Sequence, residues 1–225
     1  MRPMNKFEKA LERIKKNVLD NPDETRPFVM CEYTHAMGNS CGDIAAYWDM
    51  IYNNEQMMGG FVWEWADHVF KENGVQKYGG DFGELAHDGN FCCDGLVSPE
   101  KMPMPGLLEL KSIHQPVAVL VVDAENAVFE VENRFSFVPL SKLSAKYEIT
   151  VNGNLISSGT IEGIDLPAGE TSQLKLDVNV PTGKLCLIRF VFTNKDVFEA
   201  YIYQIFMNML SAGLRNIYVV IHHQF

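Results

Sequence analysis

Residues Phe28–Tyr33 read FVMCEY, a nearly unbroken apolar run with one acid, Glu32, close to its end. Short runs of this kind suit a strand buried on both faces, as in a parallel sheet. A stretch rich in small, polar and glycine residues follows, THAMGNSCG, and then Gly42–Tyr52 shows helical spacing, with Ile44, Trp48, Ile51 and Tyr52 on one side. Gly59-Gly60 reads as the break after that helix, and FVWEWADH, Phe61–His68, as the next strand. The span from Phe28 to Phe61 matches the ~30 residues of a strand–helix–strand unit. Two parallel strands joined by a crossover helix belong to a barrel or a doubly wound sheet.

The rest of the chain has a different texture. Residues 1–115 hold all three tryptophans, four of the six histidines and all cysteines but Cys186. Their N-terminal stretch spaces Phe7, Leu11, Ile14 and Val18 as an amphipathic helix, with Asn5 as a candidate N-cap. Val69–Pro105 is glycine-rich and without clear periodicity, though Tyr78, Phe82 and Phe91 argue for order; a helix is predicted from about Met104 to His114. Residues 116–196 carry at least six short Val-, Ile-, Thr- and Leu-rich segments, with turn signals at Asn152-Gly153 and Pro167-Ala168-Gly169. Even spacing of such segments predicts an antiparallel β-sandwich. Residues 197–225 fit neither pattern and read as an atypical tail, outside the sandwich, with a change of reading frame near Asp196 or Val197 as its explanation.

Composition removes some classes of function. With 47% hydrophobic and 21% charged residues the chain can bury a core, and a net charge of -10 argues against a nucleic-acid backbone as partner. The N-terminus lacks the apolar stretch of a signal peptide, and no clean apolar span of membrane length occurs, so a cytoplasmic, non-membrane protein is expected. Cys31, Cys41, Cys92, Cys93 and Cys186 are odd in number and contain no C-x-x-C pair, which reads as reduced thiols.

Glu32 at the C-terminal end of a parallel strand stands where (β/α)8 barrels keep their catalytic groups. A carboxylate there serves as nucleophile, general base or metal ligand. His35 follows in the next loop, and Trp63 and Trp65 fall on one face of the next strand by period-two alternation. Tryptophan beside an acid suits a sugar site, because an indole offers an apolar face to the C–H face of a pyranose and an N–H to a hydroxyl. Taken singly, each residue has a plain structural reading: a solvated glutamate, a loop histidine, core tryptophans.

Four ordered blocks, CEYTHAMGNS, GGFVWEWADH, YGGDFGE and FCCDGLV, resemble the signature blocks of the family-two glycoside hydrolases, the large bacterial β-galactosidases in particular. The resemblance covers roughly residues 25–115 and implies the last part of a (β/α)8 TIM barrel, joined to an immunoglobulin-like β-sandwich. By that resemblance Glu32 matches the catalytic nucleophile, His35 and Trp63 match substrate-binding residues, and Phe91 and Asp94 match positions beside a bound monovalent cation. Asp94 stands where the family pattern has asparagine, which adds a charge, and Asp81 in the YGGDFG block receives no role. The family uses Mg2+ and Na+, acts on small β-galactosides such as lactose through a covalent galactosyl-enzyme, and forms homo-oligomers.

A retaining glycosidase needs two carboxyl groups ~5 Å apart, one ionised and one protonated. In the family the acid/base glutamate and the magnesium ligands lie upstream of the nucleophile. No Asn-Glu pair precedes Glu32 here; Asn54-Glu55 falls at a helix terminus, and Glu64 alternates away from the tryptophans. The expectation is therefore an incomplete, inactive piece of the enzyme. The competing readings are a sugar-binding or interaction module without catalysis, a β-glucuronidase or β-mannosidase specificity, and a metal protein using His35, His87, Cys92 and Asp94.

Overall fold

The computed structural model describes residues 6–39, 41–179, 185–194 and 202–208. The chain divides into two compact units, Met1–Ile113 and His114–Phe225.

In the first unit, helix α1 (Lys6–Ile14) runs into a π-helical turn, Lys15–Leu19. Its apolar residues Leu11, Ile14 and Leu19 pack on the cluster formed by strand β1 (Phe28–Tyr33), helix α2 (Ile44–Tyr52) and strand β2 (Met57–Val62), and Val18 is buried. Asn5 lies outside the described residues. β1 and β2 pair in parallel, Phe28 with Met57 and Tyr33 with Val62, with α2 as the crossover. The expected strand–helix–strand unit is present, with three differences of detail.

First, Gly59 and Gly60 lie inside β2 and do not break the chain before it. A Cβ on Gly60 would stand 2.9 Å from the Tyr33 ring and 3.1 Å from Met30 Cβ, so the glycine lets β1's two buried side chains lie across β2. The strand consequently ends at Val62, and the segment predicted as strand from Phe61 to His68 leaves the sheet after its second residue. Second, the buried face of α2 is Ile44, Tyr47 and Ile51; Tyr52 is exposed, against the Trp48 ring at 5.2 Å. Tyr47 wins the inward position through an edge-on contact with Tyr33, ring centres 5.3 Å apart. Third, β1 is not buried on both faces: Met30 and Tyr33 are buried, whereas Val29, Cys31 and Glu32 are exposed. α2 covers one face, and no closed barrel surrounds the other among the described residues.

The glycine-rich stretch holds a small hairpin, β3 (Phe70–Glu72) and β4 (Val75–Lys77), turned by Asn73-Gly74 at φ 53° and 82°. Positive φ at both central residues is what an Asn-Gly two-residue turn provides. Helix α3 (Pro105–Ile113) starts with proline at its first position and lays Leu107, Leu110 and Ile113 on the buried side chains of Ala36, Cys41, Ile44 and Leu96.

The second unit is two antiparallel sheets. One has the order β5 (Val117–Asp123), β6 (Val128–Asn133), β9 (Thr171–Lys175); the other has the order β11 (Ile202–Asn208), β10 (Cys186–Asn194), β7 (Leu143–Val151), β8 (Asn154–Ile161). A single core joins both sheets. At its centre Phe129 of β6 meets Phe190 of β10, ring centres 5.0 Å apart and nearly perpendicular, both fully buried. Asn133 is also fully buried and fully satisfied: its amide donates to the carbonyls of Val138 and Leu166, each at 2.9 Å, and accepts from the Phe135 N–H at 3.0 Å. Part of the tail set apart in the sequence joins this sheet, since Ile202–Asn208 pairs with β10 over seven residues. Residues 209–225 lie outside the described residues. No described helix is long and apolar enough to cross a membrane.

Phe129→Ala removes the ring that ties the two sheets together. It is expected to destabilise the second unit by about 3–5 kcal/mol, read as a lower urea midpoint by circular dichroism, with little change in the tryptophan fluorescence of the first unit.

Candidate active site

Because β1 and β2 are parallel and Tyr33 pairs with Val62, their C-terminal ends share one edge. Glu32 is therefore one residue before that edge and Trp63 one residue after it. The chain turns sharply at Thr34, φ 44°, and Thr34 Oγ1 donates to the Gly42 carbonyl at 2.8 Å, closing the loop that carries His35. The Ala36 N–H donates to the Trp63 carbonyl at 2.8 Å, so the loop after β1 is tied to the segment after β2.

That second segment is fixed from its other side. Glu64 N–H donates to the Asp94 carbonyl at 2.7 Å, Leu96 N–H to the Glu64 carbonyl at 2.9 Å, and Val97 N–H to the Trp65 carbonyl at 3.0 Å. His68 N–H donates to the Cys92 carbonyl at 2.9 Å, and the Asp67 carboxylate accepts from Gly95 N–H at 2.8 Å. The two stretches lie so close that a Cβ on Gly95 would overlap the Asp67 nitrogen and the Ala66 carbonyl carbon, and stand 2.6 Å from Ala66 Cα. The Trp63–Glu64 peptide is cis.

These ties bring His35, Trp63, Phe91 and Asp94 to one corner. The His35 ring faces the Phe91 ring at 5.8 Å, and His35 Nε2 lies 3.7 Å from Asp94 Oδ2, an ion pair only when the imidazole is protonated. Asp94 is 1% exposed, and its Oδ1 has no hydrogen-bond partner. Glu32 is exposed at the end of β1, and Trp63 and Trp65 are both exposed. The alternation argument for the tryptophans does not apply, because both lie beyond the strand; the same holds for Glu64, whose carboxylate lies 3.4 Å from His68 Nδ1. Asp81 serves its own loop, accepting from Tyr78 N–H at 3.0 Å.

Three contributors carried a weaker signal in the sequence. Asp67 and Gly95 fix the corner, yet an Asp and a Gly almost thirty residues apart show no local pattern. Tyr33 accepts from Trp48 Nε1 at 2.8 Å, pinning α2 under the strand end. Among the described residues no group of three or more His, Cys, Asp and Glu side chains could hold a metal ion, which removes His35, His87, Cys92 and Asp94 as a joint ligand set. All five cysteines are free.

The parallel strand pair thus carries an acid, an imidazole and an open indole at its C-terminal edge, the edge at which (β/α)8 barrels keep their catalytic groups. Comparison with known proteins agrees. Residues 2–119 match the model of the glycosyl hydrolases family 2 TIM barrel domain, and residues 129–202 match that of β-galactosidase domain 4. The chain belongs to glycosyl hydrolase family 2. It is 46% identical over 140 residues to a β-galactosidase of Actinobacillus pleuropneumoniae, covering 61% of this chain and 14% of that protein. It is 38% identical over 198 residues to one of Staphylococcus xylosus, covering 84% and 20%. With one of Arthrobacter sp. the identity is 40% over 163 residues, covering 68% and 16%. The chain thus spans no more than a fifth of the length of these relatives.

Gly95→Ala forces the two crossing stretches apart and is expected to cost about 3 kcal/mol or more. Gly42→Ala, where a Cβ meets nothing within 4 Å, is expected to stay within about 0.5 kcal/mol. Urea unfolding followed by tryptophan fluorescence reads both, since every tryptophan is in the first unit.

Proposed function

We propose that this chain carries the nucleophile side of a retaining β-galactosidase site acting on terminal β-D-galactosides such as lactose. The observation that carries the reading is the shared C-terminal edge of β1 and β2, with Glu32 at the end of one strand and Trp63 just past the end of the other. Glu32 attacks the anomeric carbon and forms the galactosyl-enzyme; its exposed position leaves it open to substrate. The exposed indole of Trp63 offers a wall for the apolar face of galactose, and His35 donates to a sugar hydroxyl. Catalysis needs a second carboxyl group beside Glu32 to protonate the leaving oxygen, and no residue of this chain is assigned that role. The order β5-β6-β9 against β11-β10-β7-β8 supports an immunoglobulin-like sandwich in the second unit.

The buried, unpartnered Oδ1 of Asp94 fits a cation, because an uncompensated buried carboxylate oxygen is costly. Asp94 and the backbone of Phe91 would hold a monovalent ion, whose charge would steady the corner beneath His35. No residue of this chain is assigned to Mg2+. Asp94→Asn keeps the shape and removes the charge. In choline chloride it is expected to raise stability by about 1–3 kcal/mol, and sodium chloride is expected to narrow that difference by stabilising the parent chain. Thermal melts in the two salts measure it; equal behaviour in both would remove the cation.

Incubation with a 2-deoxy-2-fluoro-β-galactoside bearing a dinitrophenyl leaving group tests the nucleophile, because such a group departs with little protonation. The expected result on folded chain is one fluorogalactosyl adduct on Glu32, absent in Glu32→Gln. An adduct on another residue, or none, would count against the nucleophile site in this chain. Galactoside binding that survives Glu32→Gln without any labelling would instead favour a sugar-binding module.

A further inference from the structure

The pairing of β1 with β2 is irregular where Glu32 stands. Met30 pairs with Gly60 and Tyr33 with Val62, so Cys31 and Glu32 together lie opposite the single residue Phe61. That is a β-bulge, a device rare between parallel strands and frequent beside active sites, where it re-aims a side chain. Its effect here shows in the burial. Side chains of a regular strand alternate between faces, and a shift of one residue sends each to the other face. With Met30 inward, regular alternation would put Glu32 inward too and Tyr33 outward. Instead Cys31 and Glu32 are both exposed, while Met30 and Tyr33 both join the cluster that contains Tyr47 and Ile51 of α2. Tyr33 is held there from three sides. Its ring meets Tyr47 edge-on at 5.3 Å, its hydroxyl accepts from Trp48 Nε1 at 2.8 Å, and a Cβ on Gly60 would stand 2.9 Å from the ring.

We propose that Tyr33 is the positioning residue of Glu32: its seat among Gly60, Tyr47 and Trp48 fixes the bulge that turns the Glu32 carboxylate from the covered face of β1 to the open one. A large ring with one polar atom gains by entering an apolar cluster that answers its hydroxyl. A carboxylate in the same place would lose its hydration without a partner. The extra residue lets two adjacent positions meet both demands. Gly60 belongs to the device, since a Cβ there would also stand 3.1 Å from Met30 Cβ. Tyr47 and Trp48 are successive residues of α2, so the helix that crosses between the two strands also sets the aim of the acid at the end of the first. The catalytic meaning of that aim rests on Glu32 as the nucleophile; the bulge itself does not.

The test separates the two by reading exposure as well as chemistry. In Glu32→Cys the introduced thiol has no charge to keep it out of the core, so only the bulge holds it outward. N-ethylmaleimide labelling of the folded chain, mapped by peptide fragmentation to tell position 32 from Cys31, is expected to mark position 32. Adding Tyr33→Ser, which suits regular alternation, should slow labelling at position 32 about tenfold or more. Tyr33→Phe in its place should restore the rate to within about threefold, because the ring is kept. Gly60→Ala, which displaces the ring without altering it, should act like Tyr33→Ser. Cys41, buried in the same unit, reports folding by staying unlabelled. With Glu32 in place, the rate of adduct formation by the fluorogalactoside should fall about tenfold or more in Tyr33→Ser and return in Tyr33→Phe. Protection of position 32 in Glu32→Cys alone, or undiminished labelling there in folded Tyr33→Ser and Gly60→Ala chains, would overturn the proposal. If Tyr33→Ser exposes Cys41, Gly60→Ala and Glu32→Cys alone decide. Absence of the sugar adduct on the parent chain would end the nucleophile reading, and the thiol result would still decide the positioning.

Discussion

The close approach of Gly95 to the Ala66–Asp67 backbone is the constraint on which the first unit's functional corner rests. Only a residue without a side chain lets the turn that supplies Phe91 and Asp94 run against the segment that supplies Trp63. Once the two are in contact, hydrogen bonds from Glu64, Leu96, Val97 and His68 pair their backbones, and the Asp67 carboxylate takes the Gly95 N–H. The loop after β1 then joins through Ala36 and Trp63. Three stretches far apart in sequence are thereby held largely by backbone hydrogen bonds, so the corner does not depend on the side chains of His35 and Trp63 to hold it.

The two units rely on different physics. In the second, large apolar residues point inward from both sheets, and the contact of Phe129 with Phe190 closes the layer. The fully buried amide of Asn133 there has its hydrogen bonds answered by backbone, so burial carries no penalty. In the first unit the parallel pair is covered on one side only, and Met58, Phe61 and Trp65 remain exposed. Parallel strands ordinarily have both faces covered, so this unit leaves apolar side chains exposed together with polar ones. A buried carboxylate oxygen without a hydrogen-bond partner, Asp94 Oδ1, lies in this unit.

Much of the fold could be read along the chain. The apolar run ending in Glu32, the helix after it and the alternating segments from Val117 to Asn194 each depend on local spacing, and local spacing states which residues must be hidden. The Asn73-Gly74 hairpin also had a local signal, though it was obscured by the glycines around it. The ordered motif blocks were enough to point to the family. Other features depended on partners far away in sequence. Gly59-Gly60 looks like a break until Tyr33 and Met30 are seen to need the space, and Tyr47 rather than Tyr52 turns inward because Tyr33 meets it edge-on. The strand Ile202–Asn208 is recognisable only against the edge of β10. The sequence by itself determined which segments are strands and helices and which residue types line the site. The tertiary structure decided which residues meet, because a close backbone approach and a buried unpaired oxygen are properties of contacts between distant segments.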